Sequence, residues 1–532
     1  MQTTDIKNST TYTVQKMTNK ADQLGYQPTG NSPYVHSPAE PSSTESFIQQ
    51  ATAFLGPVRL LAQQDVRLQY SKTTLPRSTT PVVVAKPKSK EEVSALVSLA
   101  KKHRIEWHAI SKGKNWGYGD RCAEHDGFLI IDLSLMNQIV EINEELAYAV
   151  VEPGVSQGQL YKELIARQSR LMLDVTGAGP DASIVGNVLQ RGFGHTPHGD
   201  RTAHSCNYEA VLADGSITYT GFGEITESKV GHVYPYGQGP NHQGMLAQSR
   251  SGIVTRMTIW LMPRPECITG FAFKTDDSKK FIQIVNRIRQ LRQNGTIDSV
   301  VHLANDLRVV SSQPWIREYQ HDTVFSEEDR HQFRNRAGIC RWNGLGGIYG
   351  SRSITKAKKK DIQAALRDLC QVRFVGKRLI QLMNTGSNLL PAVGRLDQLS
   401  SFTTAVTDVY DLLSGKPTTN HLQGAFYRNR PASGEIIDAG LIWIAPVIPF
   451  TGEHAERLVG NLEPIANQFG FDFPITISPV VSSAAVCISN ISYDKNDQAQ
   501  SSRAIGCYRA ISKCLKNLGY PPYRSASVPL HH

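Results

Sequence analysis

The sequence predicts an α+β protein of two domains, and three features carry that expectation. Short apolar strands, amphipathic helices and a β-rich run share the first half of the chain. A composition shift at Pro263-Arg264-Pro265 then gives way to strand–helix–strand repeats. Two glycine-rich stretches, Ala109–Asp120 and Gly177–Gly199, sit in the first half. Closely spaced glycines let backbone N–H groups line an anion-binding concavity. Two such loops in one domain suggest a pyrophosphate held between them. No helix follows the first loop at once, so it is neither a P-loop nor a Rossmann turn.

The chain has 532 residues, 40% hydrophobic and 20% charged, which is ordinary for a globular protein with room for two or three cores. A net charge of +10 is modest at this length. Lys356, Lys358, Lys359 and Lys360 fall in a helix-like stretch and read as a solvated face, not a nucleic-acid contact. The eight cysteines are far apart without a C-x-x-C, which reads as reduced, buried thiols. No apolar run reaches membrane-span length and no signal-peptide core opens the chain, so a cytoplasmic enzyme is expected, with periplasmic export in a folded state left open.

Element by element, residues 1–44 are rich in Ser, Thr, Asn and Pro and are expected to be mobile. Phe47–Gln64 predicts a short helix and Pro81–Ala85 a buried strand. Ser89 and Glu92 suit a capping box for a helix with Val93, Leu96, Val97 and Ala100 on one face. Strand 105–110 runs into the first loop. Phe128–Leu133, Gln138–Ile142 and Ala147–Glu152 are β-rich, a helix opens at Pro153-Gly154-Val155-Ser156, and Asp214-Gly215 turns a hairpin. Gly252–Met262 closes this unit. Beyond it, Phe271–Lys274, Gly344–Gly350, Leu441–Pro446 and Val486–Ile491 predict strands, and Lys279–Leu291, Thr355–Leu369, Glu453–Phe469 and Ala499–Leu518 predict helices, together a cap built on one sheet.

Several motifs carry no chemistry. Gly344-x-Gly346 lacks the third glycine of a dinucleotide fingerprint and reads as a strand that packs closely. His195, His198 and His204 have no Cys or acidic partners at metal-ligand spacing, so no metal is expected. No G-x-S-x-G elbow is present. A terminal Tyr523-Arg524 pair would, alone, be packing and surface charge.

Several stretches in order resemble one known group: G-K-N-W-G-Y-G (113–119), V-E-P-G-V (151–155), P-D-A-S-I-V-G-N (180–187), R-G-F-G-H-T-P-H-G-D (191–200), Y-P-Y-G-Q-G-P (234–240), S-G-I-V-T-R-M-T-I-W-L-M-P (251–263) and R-W-N-G-L-G-G-I-Y-G (341–350). They look like the vanillyl-alcohol oxidase/p-cresol methylhydroxylase flavoproteins, and the similarity runs from about residue 80 to 525. The resemblance implies a PCMH-type FAD-binding domain (45–265), a cap or substrate domain (266–510) and a C-terminal return to the flavin domain (511–532). It implies FAD held by Gly113, Lys114, Asn115, Trp116, Gly117, Gly119, Pro180, Ser183, Gly186, Asn187, Gly192, Gly194, Gly252, Ile253 and Val254. Tyr118, Tyr523 and Arg524 match the two tyrosines and arginine that bind a phenolate oxygen in that family. The implied reaction is oxidation of a 4-alkylphenol or 4-hydroxybenzylic alcohol by hydride transfer to flavin through a quinone methide, with a cytochrome c or oxygen as acceptor and, by analogy, a homo-oligomer.

Some points stay open. Tyr427, in N-H-L-Q-G-A-F-Y-R-N-R, matches a residue that links flavin through its 8α-methyl, and reads equally as an ordinary buried tyrosine beside non-covalent FAD. The histidyl-link position falls near Leu441, so that bond is not expected. Where the oxidase branch carries an acid near flavin N5, this chain has Ala178, with Asp174 and Asp181 offset, which favours a hydroxylase-like branch or another acid–base scheme. The family continues past the Tyr-Arg pair with a helix and a Pro-Gly segment that the sequence does not contain. That difference motivates the alternative of an accessory protein that keeps the fold without turnover.

Overall fold

The computed structural model describes residues 41–319, 323–377, 379–380, 406–429 and 435–530. Of the segment expected to be mobile, residues 1–40 lie outside that set, while 41–44 already belong to a helix, Pro41–Leu55. This helix corrects the expected Phe47–Gln64. Proline is at home in a first turn, where no N–H is needed, and Gly56-Pro57 stops the helix well before Gln64. A second short helix, Gln64–Tyr70, follows the strand Leu60–Leu61.

The first sheet has four strands in the order Leu60–Leu61, Val83–Ala85, Leu129–Asp132, Trp107–Ile110. Its three longer strands are parallel, and each is nearly all apolar. The helix Lys90–Lys102 buries Val93, Leu96, Val97 and Ala100, the face its periodicity predicts. Ser89 Oγ caps it by accepting from Glu92 N at 3.3 Å. The reciprocal half of the expected box is missing, because the Glu92 carboxylate accepts from Lys88 N and from Arg59 Nη1 and Nη2.

A second, antiparallel sheet runs Ile139–Asn143, Tyr148–Val151, Gly252–Trp260, Ser205–Leu212, Ile217–Tyr219. Asp214-Gly215 turns its last hairpin as predicted. Leu171–Met172 pairs separately with Met262–Pro263.

The second half is built on one eight-stranded antiparallel sheet. Its order is Arg373–Gly376, Cys267–Thr275, Trp342–Gly350, His302–Asn305, Ile475–Ser478, Ala484–Tyr493, Gly440–Ile444, with Val447–Pro449 also on Ala484–Tyr493. Four of these strands (302–305, 373–376, 447–449 and 475–478) go beyond the sequence expectation. Each is four residues or fewer, too short for alternation to register. Gly344 and Gly346 are packing glycines: a Cβ on either would fall 2.0 and 2.6 Å from Phe273 and Phe271 ring atoms across the strand pair.

Strand alternation divides this sheet into two unlike faces. Phe271, Phe273, Leu303, Ile477, Cys487, Ile491, Ile442 and Ile444 point into a core covered by the helices Ser278–Gln293, Arg352–Leu366, Gly452–Gln468 and Gln498–Leu518. Registers Ala304↔Thr476, Thr476↔Ile488 and Trp443↔Asn490 put His302, Thr476, Asn490, Ser492 and Trp443 on the opposite face. That face meets the glycine loops of the first half. Trp443 N donates to Gly117 O at 3.3 Å, and the His302 ring centroid lies 4.5 Å from that of His195.

The last helix ends at Gly519, and the chain returns along the sheet. Val447 N donates to Pro521 O, Tyr523 N to Ala445 O, and Ser527 N to Tyr118 O. All eight cysteines are free, four of them buried and four half-buried. Among the described residues no helix is long and apolar enough to cross a membrane, and no three His, Cys, Asp or Glu side chains group as metal ligands.

Candidate active site

Strand Trp107–Ile110 delivers the chain into the first glycine loop. The N–H groups of Gly113, Lys114, Asn115 and Trp116 meet no acceptor among the described residues. Four consecutive unpaired amides are the donor set an anion requires. The loop then tightens: Tyr118 N and Asp120 N both donate to Asn115 O, and Gly117 N donates to Thr74 Oγ1 at 2.7 Å. Gly117 and Gly119 have positive φ and no room for a side chain. A Cβ would lie 2.4 Å from Trp443 Cδ1 in the first case and 1.8 Å from Ser527 Oγ in the second.

Asp120 holds the loop down, a role the sequence does not reveal. Its Oδ2 accepts from Thr73 Oγ1, Thr74 N and Thr74 Oγ1 at 2.6–2.8 Å, while Oδ1 is buried without a partner. Burial pushes this carboxyl up to about 6, against the pull of those hydrogen bonds.

Tyr118 and the terminal pair come together although far apart in sequence. The Arg524 guanidinium carbon lies 3.7 Å from the centroid of the Tyr118 ring and 5.5 Å from that of Tyr523. Its Nη1 donates to Asn115 Oδ1 at 3.2 Å. The Tyr118 hydroxyl is buried and makes no hydrogen bond of good geometry, and Arg524 Nε is likewise buried and unpaired. Burial drives the Tyr118 hydroxyl far above its usual pKa, reinforced by Tyr523 and opposed by Arg524, so it stays a neutral donor. Burial also works to lower the Arg524 pKa, but the two tyrosines outweigh it and the pKa rises. A fixed cation beside unsatisfied donors is an arrangement for an anionic oxygen.

The second loop forms a continuous wall. Ser183 Oγ caps the short helix Ile184–Leu189 and donates to Pro153 O. Pro180 O accepts from Gly158 N at 2.8 Å. Gly186 backs onto the end of the first loop's strand, where a Cβ would be 3.0 Å from Ser111 Oγ. The Asn187 side chain accepts from Arg201 Nη1 at 2.7 Å and lies against Gly192. Asp174 lies against Gly194 and accepts from His195 N, Thr196 N and Thr196 Oγ1. Asp174 is thus a buried brace for the loop, and Asp181 is exposed. Gly252, Ile253 and Val254 open the strand beside this wall, paired with Leu212, Val211 and Ala210. Lys114 Nζ lies 5.1 Å above the Trp116 ring.

Tyr427 is not gathered with the others. It packs with Leu307, Val310, Trp315, Phe325 and Phe333 in a separate cluster. Its hydroxyl donates to Asp472 Oδ2 at 3.1 Å, on a carboxylate also paired with Arg428.

Sequence reasoning missed the residues that the cap sheet adds. Trp443 covers Gly117, Asn490 sits opposite it with its Oδ1 unpaired, and Arg308 lies 6.0 Å from the Trp443 ring. His195 and His302 touch, and His421, 6.0 Å from His195, pairs with Asp408 at 2.8 Å. Burial and the neighbouring His421 bring His195 down to about 4. Polar residues spaced two apart in an otherwise apolar strand, as in C-I-S-N-I-S-Y (487–493), were the available signal.

A family model described as "FAD binding domain" matches residues 81–221, the span that contains both loops. The 1'-carboxy-chondrochloren decarboxylase of Chondromyces crocatus is 34% identical over 480 residues, covering 88% of each chain. The flavoprotein subunit of the hydroxylating 4-cresol dehydrogenase of Pseudomonas putida is 27% identical over 487 residues, 90% of this chain and 87% of that one. Among solved structures, 4-ethylphenol oxidase from Gulosibacter chungangensis in complex with isoeugenol superposes with a TM-score of 0.83 at 26% identity, covering 92% of this chain and 91% of that one. Substrate-bound p-cresol methylhydroxylase gives 0.82 at 25%, covering 92% and 90%. The unpaired amides of Gly113–Trp116 and the close approach of Gly186 to Ser111 suit the pyrophosphate of FAD. Similarity of this extent, across both halves and not the FAD-binding span alone, leads to one conclusion: the chain belongs to the PCMH-type FAD-binding flavoproteins, the vanillyl-alcohol oxidase/p-cresol methylhydroxylase family, and is an FAD-dependent oxidoreductase.

Proposed function

We propose that this protein oxidises a para-substituted phenol, a 4-alkylphenol or a 4-hydroxybenzylic alcohol. The reading is carried by one observation: the Arg524 guanidinium stacked on Tyr118, whose buried hydroxyl makes no hydrogen bond of good geometry. Tyr118 and Tyr523 donate to the substrate oxygen, and Arg524 neutralises it, so the phenol gives up its proton on binding. The resulting phenolate releases hydride from its para carbon more readily, because the electrons left behind spread into a quinone methide. FAD, when bound, supplies the two-electron acceptor for that hydride. The amides of Gly113–Trp116 hold its pyrophosphate, with Lys114 alongside and the wall of Pro180, Ser183, Gly186, Asn187, Gly192 and Gly194 behind. We assign residues 45–265 and 511–532 to flavin binding and 266–510 to the cap. FAD is taken as non-covalent, in keeping with the engaged Tyr427 hydroxyl.

Anaerobic addition of 4-ethylphenol to the purified yellow protein is expected to bleach its flavin absorbance in a single turnover, and Arg524→Ala to slow that bleaching at least about a hundredfold. A yellow protein that no 4-alkylphenol or 4-hydroxybenzylic alcohol bleaches would favour the accessory reading instead. A second reading, loss of CO2 from a carboxylated side chain after hydride removal, is favoured by the 34% identity to a decarboxylase. Released CO2 in the same experiment, with a carboxylated phenol, distinguishes it.

A further inference from the structure

Arg308 is a half-buried cation with no ion pair among the described residues, and its Nη1 is fully buried. It stands on the helix Asp306–Val310, directly after the strand His302–Asn305 of the cap sheet, with its own N–H fixed by Asn305 Oδ1 at 3.0 Å. The neighbouring acids are already engaged: Asp306 holds Arg330 and Arg334, and Asp472 holds Arg428. Arg308 itself makes no ion pair among the described residues, and its Nη1 is buried without a hydrogen-bond partner. The nearest titratable groups do not supply a negative charge. His302 is held neutral by burial, and burial keeps the Tyr427 hydroxyl protonated. Desolvation of the guanidinium lowers its pKa to about 10 and still leaves it charged at neutral pH.

Leaving a buried guanidinium nitrogen such as Arg308 Nη1 without a partner is unfavourable unless a ligand brings the anion. The position suggests which ligand. The Arg308 guanidinium carbon is 6.0 Å from the Trp443 ring, and Trp443 lies against Gly117, the residue before Tyr118. Trp443 therefore neighbours both the residue before Tyr118 and Arg308. Asn490, opposite Trp443 on the next strand, adds an unpaired Oδ1 to the same face.

We propose that Arg308 receives the carboxylate of a phenol carrying an acidic para side chain, in a two-pronged pairing at the end of the site away from Tyr118 and Arg524. The inference deepens the phenol reading and rests on it. Its substrate class is 4-hydroxyphenyl alkanoates, anchored at both ends with Trp443 beside the linker.

The test is calorimetric binding to the flavin-loaded protein with three probes: 3-(4-hydroxyphenyl)propanoate, 4-propylphenol, which lacks the acid, and 3-phenylpropanoate, which lacks the phenol oxygen. Wild type is expected to bind the first at least tenfold more tightly than the second. Arg308→Gln should bring that ratio close to one, and Arg308→Lys should leave it intermediate. A wild-type ratio near one, or a ratio that survives Arg308→Gln, overturns the proposal while leaving phenol oxidation standing. If neither phenol binds, the phenol reading is what fails, and 3-phenylpropanoate decides the rest: binding lost in Arg308→Gln sustains Arg308 as a carboxylate anchor, and absence of binding overturns it. Flavin absorbance per chain in Arg308→Gln should equal wild type. A fall with unchanged circular dichroism would assign the arginine to the cofactor and overturn the proposal as well.

Discussion

Asp120 shows how one side chain can fix a glycine loop in place. Three donors from Thr73 and Thr74 converge on one of its oxygens while the other is left dry. Its folded-state pKa of about 6 lies above the value of about 4 for an unfolded aspartate. Between those values the folded chain binds more protons than the unfolded one, so stability falls as pH rises through about 4 to 6. The full loss is about 3 kcal/mol. Asp120→Asn removes the titration, and its urea midpoint is expected to lack that part of the decline between pH 4 and 6. A decline equal to wild type would show that Asp120 is not its source. In sequence this aspartate is only the residue after Gly-Tyr-Gly. Its importance comes from Thr73 and Thr74, some forty-six positions earlier, and no local spacing records that.

Among the elements, the glycine loop and the eight-stranded sheet are shaped to each other. Gly117 has a φ of 71° and faces Trp443, so Gly117→Ala adds both backbone strain and a collision. A cost of about 2–4 kcal/mol is expected, together with flavin lost on gel filtration, read as absorbance at the flavin band per protein. Unchanged flavin content would mean that Trp443 swings aside freely. The individual elements were largely legible. The face of Lys90–Lys102 and the hairpin at Asp214-Gly215 came from periodicity and turn chemistry, which are local. Even Gly344-x-Gly346 was legible as a packing strand. Short strands such as His302–Asn305 were not, since four residues carry too little alternation, and it is one of these that brings His302 to the site.

At the scale of the whole molecule, the site is assembled from both ends of the fold. Tyr520, Val528 and Leu530 are buried in the core beneath the eight-stranded sheet, and between them Ser527 bonds to Tyr118 O and Cys122 O. Removing residues 520–532 is expected to raise hydrogen exchange across 113–122 by at least tenfold while the strand Tyr148–Val151, in the second sheet, keeps its protection. Equal loss of protection in both regions would point to global unfolding instead. The clustering of Tyr118 with Arg524, whose hydrogen bond to Asn115 spans 409 positions, was legible only through resemblance to a known family. Periodicity reports what lies within a turn or a hairpin, and this contact lies within neither.

The same clasp has a temporal consequence. During synthesis Asn115 of the glycine loop emerges 409 positions before the arginine that bonds to it. A ribosome-bound chain that has not yet reached Arg524 therefore holds the loop without that clasp, which closes only once the segment around Tyr523 and Ser527 docks.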